Sequence, residues 1–176
     1  MKKLSLILML LLLVLPSFAA NIPKQDDGTF VQTLPLIQNA LLNKDMPYLN
    51  QRIATEGIVK AKVDKILKKA ESGSFFSKVG GFIAEMNRGN ISKTISGLAL
   101  HAYTGSSAAQ RKYYLSRVKI KHVQEKDNQG TATGLFMGEG LVISGIKKGG
   151  KWIIVEIDSP LIDQEIKFAL KSLRVF

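Results

Sequence analysis

Arg117-Val118-Lys119-Ile120-Lys121-His122 is where this chain changes its period. Upstream of Gly105, apolar residues recur every three or four positions. Here Val118, Ile120 and His122 alternate with Arg117, Lys119 and Lys121, the pattern of a half-buried strand. Tyr113 and Leu115 have the opposite parity, which places a bulge near Ser116. Downstream, Asp127-Asn128-Gln129-Gly130 and Lys147-Lys148-Gly149-Gly150 carry turn chemistry. Between them, Thr131 to Ile146 reads as one long strand bent at Gly134, Gly138 and Gly140. Trp152 to Ile157 closes the sheet.

Working back from this switch, the stripes are helical. Phe30, Leu34, Ile37 and Leu41 share one face, and Pro35 within it either starts or kinks the helix. Asn43-Lys44-Asp45 breaks the pattern, and Pro47 stands near the next start. Leu49 and Ile53 continue an apolar face to Gly57. Val59, Val63, Ile66 and Ala70 line another helix, whose opposite face is rich in lysine. Phe75, Val79, Phe82, Ile83 and Met86 suggest a further one, ending near Asn87-Arg88-Gly89. Ile91, Ile95, Leu98 and Ala102 carry a helix to Gly105. Working forward, Ser159-Pro160 opens a last helix along Ile162, Ile166, Ala169, Leu170 and Leu173. Helices, then an antiparallel meander, then a helix define an α+β chain. The expectation is N-terminal helices packed on a strongly bent antiparallel sheet of three or four strands, with a C-terminal helix.

The first residues suggest an address. Lys2 and Lys3 precede an uncharged apolar run from Leu4 to Leu15, then Pro16 and the small residues Ser17, Ala19 and Ala20. That is the layout of a secretory signal peptide, cleaved after Ala19 or Ala20. The run falls short of the roughly 20 residues a spanning helix needs. Three parts are expected: a signal peptide over 1–20, a flexible leader over 21–28 and one α+β domain over 29–176. Removing the first 20 of 176 residues leaves 156, enough for a single core. The expected location is the periplasm or the medium.

The formal charge of +11 falls to about +9 without Lys2 and Lys3. No cysteine is present, which excludes thiol catalysis, thiolate zinc sites and disulfide exchange. With only His101 and His122, a zinc held by three histidines is also excluded. No cofactor motif and no metal-ligand spacing stands out. The basic residues are the clearest functional signal. Arg117, Lys119 and Lys121 form an outward row with Arg111 and Lys112 upstream, and Lys147, Lys148 and Lys151 crowd a hairpin that could neighbour them. Such a surface concentrates anions. In an exported protein these are phospholipid, lipopolysaccharide or cell-wall polymer; export disfavours nucleic acid as the partner.

The Gly149-Gly150-Lys151-Trp152-Ile153-Ile154-Val155-Glu156-Ile157 ending resembles the cone-shaped nuclear transport factor 2-like superfamily. So does the Asn-Lys-Asp break between Asn39 and Leu49, and the likeness runs from Thr29 to Pro160. It implies a pocket between a curved sheet and helices, in which enzymes of that superfamily place His, Asp or Glu. His122 shares a parity with Val118 and Ile120, and Glu139 with Leu135, Met137, Leu141 and Ile143. Both inward, they would form an acid–base pair. Glycines flanking Glu139 can instead mark a bulge that turns it to water. The chain is also similar in architecture to exported carriers of phospholipid between the two membranes of Gram-negative bacteria. Glu156 and Asp158, two apart on the last strand, suggest either a cation site or a solvated edge. His101 reads as a packing residue. Three functions follow: a non-catalytic ligand-binding or scaffold domain with an apolar pocket and a basic face, a periplasmic carrier of phospholipid or another apolar ligand, or a small hydrolase or isomerase using His122 and Glu139.

Overall fold

In a computed structural model, residues 28–71 and 88–173 are described. Six helices and one sheet follow in order: α1 (Phe30–Asn43), α2 (Met46–Arg52), α3 (Thr55–Glu71), α4 (Arg88–Gly105), α5 (Ala108–Leu115), β1 (Val118–Lys126), β2 (Gln129–Phe136), β3 (Glu139–Lys148), β4 (Lys151–Asp158) and α6 (Pro160–Ser172). The strands form one antiparallel meander in the order β1-β2-β3-β4. The α+β order read from the sequence is therefore the architecture. The signal segment, the leader up to residue 27 and the helix expected over Phe75–Met86 lie outside the described residues. Among the described residues, no helix is long and apolar enough to cross a membrane.

All three hairpins use two-residue turns with left-handed backbone at both positions: Asp127-Asn128 (φ 50° and 63°), Met137-Gly138 (φ 51° and 92°) and Gly149-Gly150 (φ 58° and 78°). These turns match the right-handed twist of the strands, and they favour Asn, Asp and Gly because a side chain is crowded at positive φ. The segment expected to be one long bent strand is thus two strands. The hidden turn is Met137-Gly138, with Phe136 facing Glu139. A second correction concerns β1, where the bulge falls between Ile120 and His122 rather than near Ser116. Tyr113 and Leu115 have no strand parity to reconcile, since they belong to α5. That helix opens on a capping box missed in the sequence: Gln110 N donates to Ser107 Oγ (3.2 Å) and Ser107 N to Gln110 Oε1 (2.8 Å).

The helical stripes bury as their spacing implies. Phe30, Leu34, Ile37 and Leu41 are all buried, and α1 runs through Pro35, which leaves the Val31 carbonyl without its helical donor. Helix α3 begins at Thr55, so Gly57 lies inside it and does not end a preceding element; Gly89 likewise lies inside α4. The α2–α3 link is pinned to the sheet by Ala54 N donating to Ile154 O (2.9 Å).

One contact organises the space between helices and sheet. Phe30, the first residue of α1, packs on Trp152 with ring centroids 5.0 Å apart. Gly130 and Gly145, paired across β2 and β3, face the same ring. A β-carbon on either would collide with it, so these two glycines form a slot for the phenyl group. Phe30 N also donates to Glu125 Oε2 at 2.8 Å, tying the start of α1 to β1. Phe30 and Trp152 are buried in one core with Phe136 and Ile154.

Candidate functional site

The end of the sheet marked by the Met137-Gly138 turn gathers the exposed charge. Its foundation is Arg111, buried at the base of α5. The guanidinium donates from Nε to Leu42 O (2.8 Å) and from a terminal nitrogen to Ser106 O (2.7 Å). Tyr103 Oη donates to Leu41 O (2.8 Å), and burial pushes this phenol up to about 12. Together they satisfy the carbonyls that the end of α1 leaves open. Arg111, read from sequence as part of the basic stripe, is instead a structural clamp that fixes α5.

From α5 the chain delivers the exposed groups in succession. Lys112 and Tyr113 point outward, and Arg117 N donates to Tyr114 O (2.9 Å) as the chain turns into β1. The Arg117 guanidinium lies over the Tyr113 ring, 4.8 Å from its centroid. Across the sheet end, Met137 N donates to Arg117 O (3.1 Å). Lys119 and Lys121 continue along the edge strand, both exposed. None of Lys112, Arg117, Lys119 or Lys121 makes an ion pair with a described residue. Tyr113 and Met137 are 47% and 43% exposed, large apolar groups for the surface. Neither was read from the sequence as a surface or functional residue, although a Met-Gly dipeptide within an over-long strand was the available signal for Met137.

The hairpin lysines lie elsewhere. Antiparallel pairing sets the β3–β4 turn beside the β1–β2 turn, where Lys147 N donates to Asn128 O (2.8 Å). Lys147, Lys148 and Lys151 are therefore at the opposite end of the sheet from Arg117 and Lys119. Lys147 is also committed: its Nζ donates to Gly28 O (3.0 Å) and sits 5.7 Å from the Trp152 ring centroid. Lys148 is exposed, and Lys151 is half-buried.

The acid–base candidates do not share a pocket. The bulge before His122 reverses its parity, so Val123 turns inward and His122 faces water with its ring nitrogen 3.0 Å from Gln124 Nε2. Glu139 begins β3 just after the turn and is exposed. His101, read as a packing residue, is exposed as well. Glu156 accepts from the Ser144 hydroxyl (3.1 Å). Asp158 is engaged by two lysines of α3: the buried Lys62 and, at 3.5 Å, Lys65. Lys62 also reaches Asp163 at 2.8 Å. The hydrogen bond from Lys62 holds the Asp158 carboxyl below its ordinary value. A cation site built on Glu156 and Asp158 thus gives way to an ion-paired lysine from a distant helix.

A cleft of about 320 Å³ opens on the helical side, between α2, the start of α3 and α4. Met46, Leu49 and Leu100 supply its apolar wall, with Glu56, Ser96 and Gly97 beside them. The Ser96 hydroxyl oxygen is buried without a hydrogen-bond partner, and a β-carbon on Gly97 would meet open space.

The described residues form an α+β fold with a buried core, a cationic sheet end and a small helical cleft. No protein-family model matches the chain, and neither a curated protein nor a solved structure matches it.

Proposed function

We propose that this protein is a non-catalytic binding domain of the bacterial envelope, exported by its N-terminal segment, whose cationic sheet end engages anionic partners. The observation that carries the reading is the group Lys112, Arg117, Lys119 and Lys121: four exposed cations on adjoining elements, none paired with a carboxylate among the described residues. The contrast with Lys62, which two aspartates neutralise, supports it. Unpaired clustered cations hold a positive potential that adds to the net charge of the chain.

Each Lys or Arg close to an anionic bilayer contributes about 1 kcal/mol. Arg117→Glu with Lys119→Glu removes two such contacts and adds repulsion. Binding to vesicles containing phosphatidylglycerol should weaken by at least about thirty-fold. Wild-type binding should also fall between low and physiological salt, as screening shortens to about 8 Å. Retention of full affinity by the double variant would refute the reading.

The cleft favours a second reading, carriage of a small apolar ligand. Its volume is at the lower end of the roughly 300–1,000 Å³ typical of ligand pockets. Glycine inside a helix costs about 1 kcal/mol relative to alanine, and Gly97 lines this cleft with open space at its β position. Gly97→Leu should therefore raise the thermal midpoint while emptying the cleft of any small molecule found by mass spectrometry of organic extracts. A wild-type extract without a stoichiometric ligand would end this reading.

A further inference from the structure

We infer that the Met137-Gly138 turn is a lipid-inserting tip, which docks the protein on the surface of an anionic phospholipid bilayer with Tyr113 and Arg117 at the headgroup level. The inference rests on the proposed function and gives its anionic partner a chemical identity. Three observations converge on one place. The first is residue choice. Of three hairpins with the same left-handed turn, two carry Asp-Asn and Gly-Gly, the residues that tolerate positive φ. The third carries methionine at φ 51°, where a long side chain is disfavoured. That methionine is 43% exposed, so its conformational cost is not offset by full burial in the core.

The second observation is company. Met137 is joined through its backbone N–H to Arg117 O, and the Arg117 guanidinium covers Tyr113. An exposed methionine, an exposed tyrosine and an arginine therefore occupy one end of the sheet. Aromatic rings with a polar tip favour the boundary between headgroups and acyl chains. The third is charge. Lys112 neighbours Tyr113 on α5, Lys119 and Lys121 follow Arg117 along β1, and these exposed cations complement phosphate headgroups. A soluble polyanion would engage the cations and leave Met137 without a role. A bilayer uses both, because an apolar tip and a basic collar match an acyl interior beneath an anionic surface. Glu139, exposed beside the turn, is the one neighbouring carboxylate on the hairpin and limits how deeply the tip can enter.

Three variants of the chain left after signal cleavage test this on phosphatidylglycerol–phosphatidylcholine vesicles, with phosphatidylcholine vesicles as control. Met137→Asn suits the turn better, so its thermal midpoint should equal or exceed that of the wild type. Its affinity for anionic vesicles should nevertheless fall about ten-fold. Because the chain has no cysteine, Met137→Cys carries a single environment-sensitive fluorophore. Its emission should shift to the blue on binding and be quenched by a lipid-borne quencher. If Met137→Asn binds like the wild type and the fluorophore stays in water, insertion is overturned; loss of binding in the Arg117→Glu, Lys119→Glu variant would then leave the electrostatic reading standing. If that charge variant binds normally, both fall. Equal affinity for soluble polyglutamate and for anionic vesicles also overturns insertion.

Discussion

Phe30→Ala is expected to lower the free energy of unfolding by about 3–5 kcal/mol, read from urea denaturation with the slope unchanged. The ring is fully buried, and it stands in a slot made by Gly130 and Gly145 against Trp152. Glycines have no side chains with which to close a vacated space, so the cavity should collapse little. That places the cost at the upper part of the range, a large share of the ~5–15 kcal/mol that holds a domain folded. The slot also makes a sharper test. Gly145→Ala alone overpacks the ring and should cost about 1–3 kcal/mol. In the Phe30→Ala background the same methyl group enters empty space, so its penalty should vanish or change sign. Simple additivity of the two substitutions would mean that the ring and the glycine are not in contact.

Removing both carboxylates around Lys62 should be of similar size. Lys62 is 5% exposed, whereas Asp158 and Asp163 are 38% and 29% exposed. Water can hydrate either aspartate if the lysine is lost, but it cannot reach the ammonium if the aspartates are lost. Asp158→Ala with Asp163→Ala should therefore cost about 3–5 kcal/mol, discounted toward the lower end by the exposure of the carboxylates. Adding Lys62→Met should recover most of the loss, since a buried ion pair and an apolar replacement are often close in stability. The pair also sets an acid response. The Asp158 carboxyl is held below its ordinary value of 3.8, chiefly by the Lys62 hydrogen bond. Its contribution is complete above that ordinary value and is lost as pH falls through the lower folded value. A plot of stability against pH should lose part of its fall below about pH 4 in Asp158→Asn. An unchanged plot would mean that the pair does not couple to folding.

Apolar spacing made much of this fold legible. The stripe Phe30, Leu34, Ile37 and Leu41 announced a helix, and burial follows it residue by residue. Asp127-Asn128 and Gly149-Gly150 announced their turns because these residues accept positive φ. The Met137-Gly138 turn stayed hidden for the same reason reversed: methionine gives no sign of a left-handed position. Missing it fused β2 with β3 and gave Glu139 the company of an inward face. His122 was misplaced by one extra residue at the bulge, since a shift of one exchanges the faces of every position beyond it. Arg111 and Lys62 look like other cations in a lysine-rich sequence. Their distinct roles depend on Leu42, Ser106, Asp158 and Asp163, partners that only the tertiary fold brings near.

The seat of Phe30 governs the order in which the chain can complete itself. Three tight hairpins let the sheet assemble from neighbours in sequence, a rapid and local process. The phenyl group that fills its inner face comes from α1, and the amide of Phe30 finds its acceptor 95 positions later, on Glu125. Its aromatic partner, Trp152, lies further still. During synthesis, α1 emerges long before either exists, so Phe30 has neither its seat nor its amide acceptor until the sheet follows. The seat of Phe30 is therefore complete only when β4 is in place.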